Sequence, residues 1–198
     1  MKLYIIPGAC SLAVNIALRE AGVRFELVRV DGASHKTEDG RDFLAVNPKG
    51  YVPALQFHDG QVLTENVAVL QYVADRNPEA ALAPPAGTFE RYRLMEWLSF
   101  INSEVHKGFS PLFSAEATDA VKTFARDRLL RRLDYLQDAV REPHLIGGRF
   151  TVADAYLFTV LSWCPEVGLD LGRWPALANY HARIASRHHV RAAVQSEA

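Results

Sequence analysis

The spacing of apolar residues divides this chain into a strand-and-helix first third and a helical remainder. Leu3-Tyr4-Ile5-Ile6 is a short continuous apolar run stopped by Pro7-Gly8, the pattern of a buried strand. After Cys10-Ser11, the residues Val14, Ala17, Leu18 and Ala21 recur at helical spacing up to Gly22, with Ser11 as the expected N-cap. Phe25 to Val30 reads as a second strand, so the strand–helix–strand order predicts a right-handed crossover with parallel pairing. Asp31 to Asp42 is polar and reads as a loop with room for a short helix. Pro53 to Phe57 and Gln61 to Leu63 flank His58-Asp59-Gly60, a hairpin signal. From Glu65 a second helix runs through Val69, Leu70 and Val73 to Asp75.

The order β-α-β, hairpin, α is that of a thioredoxin-like domain, a small mixed sheet carrying helices. Asn77 to Gly87 holds three prolines and reads as a linker. Beyond it strand patterns cease. Phe89 to Lys107, Ala120 to Val140, Thr151 to Trp163 and Leu177 to Ser186 all carry 3.6-residue apolar spacing. Thr151 and Asp154 form a capping-box start for the third of these. The expected fold is therefore α/β plus all-α: a thioredoxin-like domain over residues 1–80 and an all-helical domain over 88–198.

Bulk composition narrows the function classes. The 198 residues are 49% apolar, enough for a core, and carry a formal charge of -1, so no strong field is present to gather a polyanion. Nucleic acid is therefore excluded as an expected partner. No run reaches the ~18 apolar residues of a membrane helix, and the N-terminal apolar run is too short for a signal peptide. Two cysteines, Cys10 and Cys164, without spacing that demands a bridge, fit a reducing cytoplasm. His188-His189 reads as a surface pair diverging on a helix, and no metal-ligand spacing is present.

Candidate chemistry centres on Cys10. A thiol between a strand and a helix N-terminus faces backbone amides and a partial positive charge, both of which favour its thiolate; a lone cysteine is otherwise an ordinary small hydrophobe. Cys10-Ser11-Leu12-Ala13 is not a Cys-x-x-Cys pair, so a second thiol would have to be supplied from outside, as by glutathione. Val52 before Pro53 is restricted to extended geometry, suited to pairing with a peptide-like ligand, and its bond to Pro53 is a candidate cis bond. The helix start at Thr64-Glu65-Asn66 suits a carboxylate, with Glu65 available to an ammonium. Ser103, His106 and Lys107 fall within one turn at the expected end of the long helix, where a basic group beside a thiolate would stabilise it.

Taken together, these segments resemble the beta-class bacterial glutathione transferases. Matching stretches are Met1 to Tyr4 with Pro7 to Leu12, Asn47 to Leu55, Leu63 to Glu65, Ser103 to Gly108 with Ser110 to Phe113, and Thr151 to Phe158; they are collinear and span nearly the whole chain. The resemblance implies that Cys10 contacts the glutathione sulfur and can form a mixed disulfide with it. It also implies that Val52 pairs with the ligand backbone ahead of a cis Pro53, and that Glu65 and Asn66 hold the γ-glutamyl end. Ser103, Glu104, His106 and Lys107 would reach in from the helical domain, with His106 counted as catalytic beside Cys10 and Glu104 serving the neighbouring subunit of a homodimer. Ser11 and Tyr51 complete the glutathione set, and a basic residue for the glycyl carboxylate is either His35 or Lys36. Several positions differ from the family pattern: Asn66 replaces Ser or Gly, Val14-Asn15 replaces Pro-His, and Ser99 replaces Asn.

The implied function is conjugation of reduced glutathione, as co-substrate rather than resident cofactor, to small apolar electrophiles. Tyr4, Phe109, Phe113 and Trp163 are the expected apolar lining. Two alternatives remain on the sequence alone: thiol–disulfide reduction or reductive dehalogenation through a Cys10 mixed disulfide, and a low-turnover glutathione or apolar-ligand carrier.

Overall fold

In the computed structural model, which describes residues 1–140 and 143–198, β1 (Lys2–Ile5) is followed by α1 (Ser11–Glu20), β2 (Glu26–Asp31), β3 (Lys36–Thr37), β4 (Ala54–Gln56), β5 (Val62–Thr64) and α2 (Asn66–Arg76). The sheet order is β3-β2-β1-β4-β5, with β1 parallel to β2 and the other pairs antiparallel. Register places Leu3 opposite Leu27 and Leu55, which sets the two faces. Tyr4, Val28, Val30 and Ala54 point to one face and pack with Phe43. Leu3, Ile5 and Leu55, all fully buried, take the other face under α1 and α2. The crossover and the hairpin form as the apolar pattern predicts. The polar segment 31–42 instead supplies the edge strand β3, pairing Val30 with Thr37. An edge strand needs no apolar alternation, so its pairing leaves no trace in the pattern.

The second compact unit is helical. Thr88 caps α3 (Phe89–Phe100), its hydroxyl accepting from the Arg91 amide. A π-helical turn, Ile101–His106, follows without a break and leads into α4 (Lys107–Phe113). His106-Lys107 therefore do not end the helix. Gly108 and Pro111 look like a stop, but Phe109 is fully buried and its packing carries the helix past them. Next come α5 (Asp119–Ala139), with Ala125, Leu129, Leu133 and Leu136 as its buried stripe, α6 (Val152–Leu161) and α7 (Pro175–Ala185). Every residue of α6 is buried, so it forms the centre of this unit. Asp154 is fully buried there. Its carboxylate accepts from the Thr151 amide (2.8 Å) and hydroxyl (2.9 Å), the Leu145 amide (2.9 Å) and the Tyr180 hydroxyl (2.8 Å). The Tyr180 phenol is pushed up by burial and by the Asp154 charge, so it remains a donor.

The last helix, α8 (His188–Glu197), departs from the expected division. The compact units are residues 1–83 with 187–198, and 84–186, so α8 is counted with the sheet unit and not with the helical one. It packs on α1, burying Val190 and Ala193, and Arg187 forms a two-point ion pair with Glu20 (2.8 and 2.9 Å). His188 and His189 do not diverge as expected; their rings meet edge to face at 5.2 Å. No helix among the described residues is long and apolar enough to cross a membrane.

Asp154→Ala should leave three buried donors unpaired and cost at least about 3 kcal/mol of unfolding free energy. Urea denaturation of the variant against the parent protein checks this.

Candidate functional site

Strand β1 ends at Ile5, and the chain turns through Pro7, Gly8 (φ 72°) and Ala9 before α1 begins. Cys10, and not Ser11, occupies the N-cap. Ser11 lies inside the helix, buried, its hydroxyl donating to the Ile6 carbonyl at 3.3 Å. The half-buried Cys10 is thus placed by β1 on one side and α1 on the other, at the positive end of the helix. Its Sγ donates to the Val52 carbonyl at 3.3 Å. The Val52–Pro53 bond is cis, so the thiol and the extended residue before Pro53, far apart in sequence, meet in space.

Around Val52 the backbone is held by its neighbours. Asn47 Nδ2 donates to the Tyr51 carbonyl at 2.6 Å, while the Tyr51 side chain is 72% exposed. Gly50 has φ 71°, and a Cβ there would sit 2.9 Å from His35 Cε1. His35, itself at φ 53°, therefore packs directly on the backbone next to Tyr51-Val52, and its Nδ1 is buried without a partner. Lys36 lies on β3, beside an open surface groove of about 430 Å³ that Arg29, Asp31 and Glu38 also line. The two basic candidates for one role stand in different surroundings, and only His35 adjoins the Val52 segment.

Glu65 caps α2 with φ 71°, a strained conformation for a residue with a Cβ. Its exposed carboxylate is ion-paired with Lys49, which also donates to Thr64 Oγ1 at 2.8 Å. Lys49 was not among the residues singled out by sequence, since an exposed lysine carries no local signal. Asn66, 5% exposed at the first position of α2, has both side-chain polar atoms buried without a hydrogen-bond partner. Orphaned buried amide groups are rare and costly unless a ligand or water completes them.

In the helical unit, the π-turn carries Ser103, Glu104 and His106. Ser103 and Lys107 are exposed, and Ser103 Oγ donates to the Ser99 carbonyl at 2.9 Å, whereas His106 turns inward; the three do not share one face. Glu104 pairs with Arg132 (2.7 Å) and Arg128 (3.4 Å) of its own unit, and the Arg132 hydrogen bond holds its carboxyl below the usual range. The Tyr156 hydroxyl donates to Asn102 Oδ1 at 3.0 Å, so the 2.6 Å contact between Tyr156 and His106 Nδ1 is donated by the ring. That fixes the Nδ1–H tautomer and leaves Nε2 as an acceptor. Burial, helped by the Lys107 charge, pushes the His106 pKa down to about 4. The ring is thus neutral near pH 7, and His106 cannot stabilise a thiolate as a cation. Trp163 lies edge-on to His106 (4.9 Å) and packs with Phe109 (5.6 Å) and Phe113 (5.9 Å). Tyr4 is not part of this aromatic group: it is buried on Phe43 in the sheet unit, its hydroxyl donating to Gln56 Oε1 at 3.0 Å.

The glutathione S-transferase N-terminal domain matches residues 1–75, and the glutathione S-transferase C-terminal domain matches residues 100–188. The glutathione S-transferase GstA of Escherichia coli O157:H7 is 47% identical over 198 residues, covering 100% of this chain and 98% of its own. The chain belongs to the glutathione S-transferase family. Among solved structures, the transferase superposes on a ternary complex of BphK, a bacterial GST, with a TM-score of 0.97 at 52% identity, covering 100% and 99% of the two chains. A bacterial beta class glutathione S-transferase of Sphingomonas chungbukensis gives 0.96 at 50% identity, covering 100% and 98%. The thioredoxin-like and helical fold class expected from the apolar pattern is that of the family.

Cys164, the transferase's other thiol, is fully buried and its pKa is pushed up to about 12 by burial, so it takes no part in thiolate chemistry near neutral pH.

The depressed His106 pKa makes a sign-specific forecast. The unfolded chain binds a proton at this ring near pH 6.5 and the folded chain only near 4, so stability is full above 6.5 and falls as pH drops toward 4. The His106 share of that fall should approach 3 kcal/mol, at ~1.4 kcal/mol per pH unit. Equilibrium unfolding at pH 7 and pH 4 should show His106→Asn losing less stability on acidification than the parent protein, by about that amount.

Proposed function

We propose that Cys10 meets the sulfur of glutathione and that the thiolate is transferred to small, apolar electrophiles. The chain is a glutathione S-transferase with glutathione as co-substrate. The observation that carries the assignment of Cys10 is its position: a thiol at the N-cap of α1, hydrogen-bonded to the carbonyl of the extended residue Val52. A γ-glutamyl peptide laid along Val52 as an added strand brings its own sulfur to Cys10. Its γ-glutamyl carboxylate then falls to the first amides of α2 and to Asn66, whose unpartnered amide supports this role. Glu65 takes the ammonium, exchanging Lys49 for the ligand. His35 takes the glycyl carboxylate in preference to Lys36, because it adjoins the Gly50 to Val52 segment. Ser11 serves by fixing the turn, and Tyr51 by its exposed ring.

From the helical unit the same assignment takes Ser103, Glu104, His106 and Lys107. His106 acts as a neutral acceptor through Nε2, receiving the thiol proton, and Lys107 supplies the positive charge that His106 lacks. The Phe109, Phe113 and Trp163 cluster receives the apolar electrophile. Phe89, Tyr92 and Met95 on α3 are exposed large apolar side chains, 68%, 59% and 40%, which supports a homodimer formed through this helix; Glu104 then serves the neighbouring subunit. The enzyme works in the cytoplasm, where glutathione keeps Cys10 reduced.

A second chemistry is favoured by one observation: Cys164 is buried, so Cys10 has no intramolecular thiol to resolve it. A disulfide at Cys10 would form with glutathione and be released by a second glutathione.

With an activated aryl halide and reduced glutathione, the parent protein should show conjugation, and Cys10→Ala should retain it while losing glutathione-dependent disulfide reduction. Intact mass before and after dithiothreitol tests the same thiol: loss of one glutathione in the parent, absent in Cys10→Ala, marks the mixed disulfide, and equal retention of both activities excludes it. Because Asn66 has no partner in the protein, Asn66→Leu should leave thermal stability unchanged or raised. It should also raise KM for glutathione about tenfold, the size of one lost charge-assisted hydrogen bond.

A further inference from the structure

Helix α8 reaches the Cys10 turn through one side chain. Glu197 is 6% exposed, and its carboxylate spans two points of the chain: Oε2 accepts the Gly8 amide at 3.0 Å, and Oε1 accepts Asn15 Nδ2 at 2.9 Å. Gly8 lies two residues before Cys10, and Asn15 lies in the second turn of α1 after it. Asn15 is itself fully buried, with Nδ2 also reaching Ser196 Oγ (3.1 Å) and Oδ1 accepting from Arg19 Nε (2.8 Å). A buried carboxylate is costly to keep unless it is fully bonded. This one is bonded on both sides of the same reactive residue. The charged groups that face it are Arg29 on β2 and Arg19 on α1.

The docking of α8 does not depend on that contact. Val190 and Ala193 are buried on α1, and Arg187 pairs with Glu20 at the far end of both helices. We propose that Glu197 is a positioning residue for Cys10. By fixing Gly8 and Asn15 together it sets the course of the turn between β1 and α1, and hence the aim of the thiol and of the first amides of α1. The role rests on the assignment of Cys10 as the residue that meets the glutathione sulfur.

The test is the rate of Cys10 alkylation by iodoacetamide as a function of pH, with peptide mapping to exclude label on Cys164. Two effects of Glu197→Ala have opposite signs. Removing a negative charge alone lowers the pH midpoint of alkylation, whereas misaligning the turn weakens thiolate stabilisation and raises it. The expected result is a midpoint raised by about half a pH unit and a rate at pH 7 lowered about threefold. Glu197→Gln keeps an acceptor oxygen for Gly8 and should stay within about twofold of the parent rate, since hydrogen bonding and not charge is what it preserves. Arg187→Ala should lower Tm without moving the midpoint. If Glu197→Ala does not fold, Glu197→Leu keeps more of the packing and is measured in its place. A midpoint that is unmoved or lowered in the alanine or leucine variant overturns the proposal, as does an equal shift in Arg187→Ala. If Cys10 of the parent alkylates with the midpoint of an ordinary thiol, near ~8.5, the assignment of Cys10 itself falls and the role of Glu197 with it.

Discussion

The hydrogen bond from the Cys10 thiol to the Val52 carbonyl joins two segments that the chain holds 42 residues apart, and the chemistry of the sheet unit depends on it. One segment is the cap of α1 and the other the extended stretch before Pro53. Each is ordinary by itself: a small residue at a helix start, and a backbone strand with an open edge. Brought together, they put a sulfur next to a row of peptide groups, the arrangement a cysteine-containing peptide would complement. The sheet makes the meeting possible, because β4 pairs antiparallel with β1 and its leading residues therefore return to the end where β1 releases the chain into α1.

Much of this could be read from local pattern. Pro7-Gly8 after four apolar residues places Cys10 at a strand-to-helix turn, Asp59-Gly60 places the hairpin, and Thr151 with Asp154 places the start of α6, because each is a choice made within a few residues. The features that pattern missed depend on distant partners. Glu197 is 189 residues from Gly8, and nothing near either residue announces their bond. Tyr4 was expected in an apolar lining, yet strand alternation turns it onto Phe43. Edge strand β3 is polar because only one neighbour pairs with it. The N-cap moved by one residue, from Ser11 to Cys10, because the Ser11 hydroxyl is already used by the Ile6 carbonyl.

In the helical unit the instructive residue is His106. Its sequence neighbours, Lys107 and Glu104, suggest a charged helix end, whereas the ring is packed against Trp163 and bonded to Tyr156. Burial decides its charge and the Tyr156–Asn102 pair decides its tautomer. Both are set by α6 and by the turn itself and not by anything adjacent in the chain. A histidine of this kind offers a lone pair where a solvated one would offer a charge.

The π-turn at Ile101–His106 bears on which changes in chain length this region can absorb. A π-turn holds one more residue than an α-turn of the same helix. Deleting one residue there would let the backbone relax into regular α-helix without shortening any neighbouring loop. It would also rotate everything beyond it by about 100°, carrying Phe109 and Phe113 off Trp163. The helix would survive such a deletion and the aromatic cluster would not, so the length of this segment is constrained by what it points at more than by its own folding.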